Sequence, residues 1–231
     1  MRILMAVLCL IAASTAGASP SASEAKMILD RALDDVSAGR LAQAESGMRR
    51  AVAASAPRSE EEVDSLNGLA WVLMDTGRVE DAEEVASRAL KTAERLYGKY
   101  SPRLVVSLNT LAEGCIVRRD FDAAETLLRR ATRLASMPGA TPLLPAAVAV
   151  RRGLLWLTMG RYHEAEPVLE HSLALAEEQI GPNHPALRPM LYTLARCYRL
   201  RNRPQEAAAL DSRFAALGGV VHGASLAQGG R

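Results

Sequence analysis

The chain has 231 residues, of which 49% are hydrophobic, 23% charged and only 4% aromatic. That is enough apolar material for one core, or for a stack of units sharing one, and burial by Ala and Leu favours closely packed helices over a β-sandwich. A net charge of +2 gives no global field of the kind that marks a nucleic-acid binder.

Residues 1–18 differ from the rest. Met1-Arg2 is a positive start, Ile3 to Ala13 is an uncharged apolar run, and Ala16-Gly17-Ala18 is a small-x-small site before Ser19-Pro20. This pattern predicts a cleavable export signal and hence a periplasmic or secreted protein; the Ala, Arg and Leu bias points to a bacterium. An uncleaved anchor and a buried N-terminal helix are the alternatives. Eleven apolar residues fall short of the roughly 20 that span a hydrocarbon core as a helix. Cys9 lies inside the run with Ala6-Val7-Leu8 before it, which argues against lipid attachment. No later segment is long and apolar enough for stable membrane insertion once the signal is removed.

Beyond the signal, a turn followed by an Ala-rich helix recurs. Its copies are Ala38-Gly39-Arg40, Thr76-Gly77-Arg78, Arg118-Arg119-Asp120, Met159-Gly160-Arg161 and Arg201-Asn202-Arg203. The aligned alanines 44, 82, 124, 165 and 207 are spaced 38, 42, 41 and 42 apart. Ser101-Pro102, Thr141-Pro142 and His184-Pro185 give an independent signal of the same period. Each places proline at a first helical position, where a missing N–H costs nothing. Ser59, with Glu62 three residues on, reads as a capping box at the equivalent place. The predicted units are therefore a capping repeat over 19–58 and repeats over 59–100, 101–140, 141–183 and 184–217. The glycine-rich segment 218–231 is expected to be disordered.

Each unit reads as two helices. Leu104, Leu108, Leu111, Ala112 and Cys115 share one helical face, and Ala124, Leu127, Leu128 and Ala131 share another. Neither helix can bury its stripe alone, so the units must stack. Arg31 and Asp35 in the first unit, and Pro204 and Asp211 in the last, stand where apolar residues are expected and read as polar caps.

These residues resemble the tetratricopeptide repeat, in the longer 42-residue form of kinesin light chains and many bacterial proteins. Leu66, Leu69-Ala70, Leu73, Gly77, Ala82 and Ala89 match the family pattern, as do Leu108, Leu111-Ala112, Cys115, Ala124 and Ala131. Ser65-Leu66-Asn67, Ser107-Leu108-Asn109 and Ile180-Gly181-Pro182-Asn183-His184-Pro185 match features of the longer form. The resemblance implies an all-α, right-handed solenoid of about five helix–turn–helix repeats whose first helices line a concave groove.

Signatures of catalysis are absent. His163 and His171 are eight apart, and Pro167 breaks any H-E-x-x-H reading, so no metal site is expected. Cys115 and Cys197 lie two units apart, too far for a disulfide, and read as small buried residues. No phosphate-binding glycine loop or nucleophile elbow is present. Neither enzyme activity nor a cofactor is expected.

What remains is the groove implied by the resemblance. Asn67 and Asn109, at equivalent positions of neighbouring units, offer amide donors and acceptors for an extended peptide backbone. Trp71, Val150, Leu154 and Leu157 would supply apolar anchoring, with Asp75 and Glu113 toward an acidic end and Arg196 and Arg199 toward a basic one. Leu154-Leu155-Trp156-Leu157 is too apolar all round for a surface helix and requires contacts on both sides. The expected function is a non-catalytic scaffold binding a peptide segment of a partner protein. The alternative is a homo-oligomer associating through the third repeat.

Overall fold

The computed structural model describes residues 20–219; the signal read at 1–18 and residues 220–231 lie outside them. It is all-helical, a right-handed solenoid of antiparallel helix pairs. In chain order these are α1 (Pro20–Ser37) with α2 (Leu41–Ala54), α3 (Glu60–Asp75) with α4 (Val79–Tyr97), α5 (Val105–Val117) with α6 (Phe121–Ala135), α7 (Leu144–Thr158) with α8 (Tyr162–Ile180), and α9 (Arg188–Leu200) with α10 (Pro204–Ala216).

The turns inside the pairs share one device. Gly39, Gly77, Gly160, Arg119 and Asn202 all hold φ between 58° and 81°, the left-handed conformation that ends a helix and reverses the chain. Arg119 pays for its Cβ in this region, where Gly would be unstrained; its guanidinium instead lies 5.5 Å over the Phe121 ring.

Ser59, Ser101 and His184 cap the starts expected of them, whereas the expected Thr141-Pro142 start is not used: α7 begins two residues later at Leu144, without a side-chain cap and with Pro145 in its first turn. The Ser59 hydroxyl accepts from the Glu62 N–H at 3.1 Å, while the Glu62 carboxylate accepts from the Arg58 N–H at 2.7 Å. Ser101 and His184 each accept a backbone N–H two residues on, and each opens a one-turn 3-10 helix (Pro102–Leu104 and Pro185–Leu187) that leads into α5 or α9. His184 does so through its Nδ1, at 3.1 Å from the Ala186 N.

The odd-numbered helices contact one another along the stack as well as their own partners, whereas the even-numbered ones barely meet. The odd helices therefore form the inner, concave wall and the even ones the outer. Close approach depends on small residues at the crossings. A Cβ on Gly47 would lie 2.7 Å from that of Ala32, and one on Gly153 would lie 2.5 Å from the Leu169 Cδ2. Three apolar clusters run through the stack, and α7 contributes to two of them: Leu155 and Val148 to one, Val150 and Leu157 to the next.

Ion pairs stitch successive pairs along the outer layer. Glu45, Glu83 and Glu166 each follow an aligned alanine, and each binds an arginine at the next turn: Arg78 at 2.8 Å, Arg118, and Arg201 together with Arg203 at 2.6 Å. A second row joins Glu94 to Arg130 at 2.5 Å and Glu177 to Arg213. The polar ends are internally satisfied: Asp35 pairs with Arg40 at 2.7 Å and Asp211 with Arg199 at 2.6 Å.

Gly153→Ala tests the tight α7–α8 crossing. Leu169 is fully buried and has nowhere to retreat, so the added methyl is expected to cost about 1–3 kcal/mol, read as a lower urea midpoint with unchanged m-value.

Candidate functional site

The concave wall carries a depression of about 580 Å³, counting its mouth open to solvent. Four consecutive inner helices supply its lining: Trp71 from α3; Val106, Asn109 and Thr110 from α5; Leu144, Ala147, Val150 and Arg151 from α7; Pro189 and Met190 from α9. Most of this lining is apolar. The polar groups are concentrated on α5 and α7.

The Arg151 side chain is only 3% exposed, and its guanidinium meets the Glu113 carboxylate at 2.9 Å. Burial pulls the arginine below its ordinary pKa, and the Glu113 charge opposes that pull. A buried pair of this kind adds little net stability, but removing one partner strands the other charge. Arg151 Nε finds no hydrogen-bond partner in the protein, and neither does Asn109 Oδ1. Asn109 lies one helical turn before Glu113, so it borders the ion pair.

The two asparagines do not form a matched pair. Asn67 is 3% exposed, and its Oδ1 accepts from the Ser107 hydroxyl of the next repeat at 2.7 Å. Asn67 and Asn109 each stand ten residues before their left-handed turn residue, and Ser107 stands twelve before its own. In the following repeat the position of Ser107 belongs to Val148, which has no hydroxyl to give. Asn67 is thus engaged at a seam between repeats, while Asn109 is left facing the depression.

The other expected groove residues are dispersed. Trp71 and Val150 line the depression. Leu157, 3% exposed, belongs to the core cluster, and half-buried Leu154 packs against the neighbouring one. The apolar stretch Leu154-Leu155-Trp156-Leu157 does contact both sides, and it does so inside the stack. Arg152 and Arg161 also flank the Trp156 ring, at 4.8 Å and 5.7 Å. None of the exposed large apolar side chains among the described residues comes from α7. Asp75 is half-buried at the end of α3, Arg196 is half-buried on α9, and Arg199 is tied to Asp211. With Glu113 also paired, the expected gradient from acidic to basic is largely neutralised locally.

Arg151, Thr110, Leu144, Pro189 and Met190 were not foreseen as lining residues. The signal for Arg151 was present: a charged residue at the position occupied by Gly68, Thr110 and Thr193 in the neighbouring repeats, on a helix whose only other charged residue is Arg152. Such a residue has to find a partner when buried. No group of three or more His, Cys, Asp or Glu among the described residues is placed to hold a metal. Cys115 and Cys197 are buried and unpaired, and burial pushes the Cys197 thiol up to about 11.

The model of the tetratricopeptide repeat matches residues 61–136 and 145–213. Among solved structures, a kinesin light chain protein of Podosopora anserina with nearly identical TPR-like repeats is similar at 20% identity, over 87% of this chain and 97% of that one, with a TM-score of 0.56. A thermophilic TPR protein of Thermus thermophilus is similar at 21% identity, over 82% and 89%, with a TM-score of 0.60. A Rap protein complexed with competence and sporulation factor is similar at 19% identity, over 84% of this chain and 55% of that one, with a TM-score of 0.67. At these identities the likeness concerns the fold. No curated protein matches the chain.

One acidic group near the α3 start is titratable near neutrality. Burial first, and then the neighbouring Glu60 carboxylate, push Asp64 from its ordinary 3.8 up to about 6. The unfolded chain therefore loses this proton first, and stability falls as pH rises through the window from about 4 to 6. Ionisation of Asp64 costs at most about 3 kcal/mol. Asp64→Asn is expected to raise stability at pH 7 by about 1–3 kcal/mol and to flatten that slope, measured by urea unfolding across the window.

Proposed function

We propose that this chain, which belongs to the tetratricopeptide repeat family, is a non-catalytic scaffold that holds a segment of another protein against its concave wall. The observation that carries this reading is the depression itself. It is assembled from four inner helices of successive repeats and is walled mainly by apolar side chains, with Asn109 and Thr110 as polar lining residues. An apolar wall supplies affinity, while a few placed donors and acceptors set the register of what is bound. The Rap protein complexed with competence and sporulation factor supports a role for this architecture in holding a partner. The export signal read at residues 1–18 would bring the chain to its partner in the periplasm or outside the cell.

Self-association through the third repeat has less to rest on. The apolar side chains of α7 that motivated it are packed into the two adjoining core clusters, so little of that face is left over for a second copy.

The test is a capture experiment from the periplasmic or extracellular fraction with three baits. These are the unaltered chain, a Val106→Lys/Ala147→Glu variant of the inner wall, and Arg129→Glu, which alters an exposed residue of α6 on the outer layer. All three should show the same helical circular dichroism. A protein retained by the first and third baits and lost from the second is expected. Equal retention by all three would place binding elsewhere and contradict the assignment.

A further inference from the structure

Charge is unevenly placed on the outer layer. Stretches 49–58, 87–100 and 129–142 hold the later turns of α2, α4 and α6 with the linkers after them. Together they carry ten lysines and arginines against a single acid, Glu94, in a chain whose net charge is only +2. The equivalent stretch around α8, 170–183, has three acids and no lysine or arginine. A helix dipole favours a cation in any last turn. That would apply equally to α8, so it does not account for the difference.

The cations are in register. Arg50, Arg88 and Arg130 each stand eleven residues after their left-handed turn residue, and Lys91 and Arg133 fourteen after theirs. Equivalent positions of stacked repeats share a face, so these residues form rows across the outer layer. Arg88 and Arg130 are engaged by Glu62 and Glu94, at 2.6 Å and 2.5 Å. Arg50, Lys91, Arg95, Lys99 and Arg133 are exposed, and none forms an ion pair among the described residues.

Where the rows end, the surface turns apolar. Leu96 lies in the last turn of α4, Tyr100 in the linker after it and Met137 just beyond α6; they are 40%, 65% and 38% exposed. Arg130 donates to the Lys99 carbonyl at 3.1 Å, which holds that linker against α6 and keeps the three side chains on one edge of the solenoid. Arg95 and Met137 occupy equivalent positions, eighteen residues after their turns. The Lys99 Nζ lies 5.0 Å from the centre of the Tyr100 ring. From the edge inward come apolar tips, then Arg95 and Lys99 beside them, then Lys91 and Arg133 about 5 Å behind, one turn away.

That order matches a bilayer surface read outward from the hydrocarbon. Apolar and aromatic side chains suit the boundary, and cations suit the level of the lipid phosphates. The second row stays within the ~8 Å over which exposed charges act at physiological salt. An acidic peptide in a groove would draw on apolar contacts interleaved with the cations. Here the two are segregated, on a convex layer.

We propose that the edge formed by the ends of α4 and α6 docks the solenoid peripherally on an anionic lipid bilayer. This surface is separate from the inner-wall depression, and neither reading depends on the other.

The experiment sediments the full chain with vesicles of phosphatidylcholine alone, or of equal parts phosphatidylcholine and phosphatidylglycerol. The apolar run at 3–13 is present in every sample, so the reading is the difference between vesicles and between variants. Binding to the anionic vesicles is expected to exceed that to neutral ones about tenfold or more. Lys91→Glu/Arg133→Glu should weaken it about tenfold or more. Leu96→Ser/Tyr100→Ser leaves the charge unchanged and should weaken it about threefold or more. Lys26→Glu/Arg31→Glu moves the same change of charge to exposed residues of α1 and should stay within about twofold of the unaltered chain. All these positions are on the surface, and circular dichroism checks that each variant is folded. Failure to bind anionic vesicles, equal binding to neutral ones, full binding by either edge variant, or an equal loss in the α1 variant would overturn the proposal. Retention on immobilised polyglutamate through Lys91 and Arg133, without vesicle binding, would overturn it in favour of an acidic protein segment.

Discussion

A pair of helices 13 to 19 residues long cannot bury the apolar surface that its own sequence creates. One flank of each helix closes on its partner, and the other stays exposed until the next pair arrives. Burial across that seam is the constraint on which the rest of the molecule depends. It demands small residues where backbones approach, as at Gly47 against Ala32 and Gly153 against Leu169. It demands the same reversal in every pair, and hence the left-handed residue at 39, 77, 119, 160 and 202. It also makes the inner wall a continuous surface of odd helices, each contributing a few residues to whatever lies there. The rows of glutamate–arginine pairs on the outer layer follow the seam and do not create it. Exposed pairs of this kind contribute little each, so their role is to favour one register over its neighbours.

The candidate site arises where the repetition lapses. Where the pattern holds, at the seam of α3 and α5, asparagine and serine satisfy one another and nothing is left over. One repeat later Val148 breaks the exchange, and Arg151 enters where the repeats on either side carry Thr110 and Thr193. At the upstream seam the lapse is reversed: Ser65 keeps its hydroxyl without a partner, and Leu29 stands ten residues before Gly39, where the asparagine would be. Polar groups unmatched by their own stack are costly unless something else uses them. Under the function proposed above, recognition would be concentrated at the depression rather than over the whole concave surface.

Much of the fold was legible because its signals are local. The turn residues, the Ser59 capping box and the proline-led starts at Pro102 and Pro185 each act within a few residues of themselves. His184 could be assigned to its turn for the same reason. The Asn67–Asn109 reading fell short because the residue that decides their fate lies about 40 positions downstream, in the next repeat, at Ser107 or Val148. Arg151 escaped notice because its partner, Glu113, is equally remote in sequence. Leu157 sits on an inner helix, yet it turns into the core; helical period identifies a face but not which of two adjoining seams covers it. Glu113 and Arg199 looked like the two ends of a charge gradient, and pairing across repeats neutralised both. Site geometry in a solenoid is written between repeats, and a single repeat does not show it.

The central question is which wall of the solenoid meets the partner. Amide hydrogen exchange of the full chain, with and without the captured partner, measures this directly. Binding at the depression predicts slowed exchange along α5 and α7 with smaller effects on α3 and α9, and unchanged exchange along the outer helices α4, α6 and α8. Protection confined to those outer helices would contradict it.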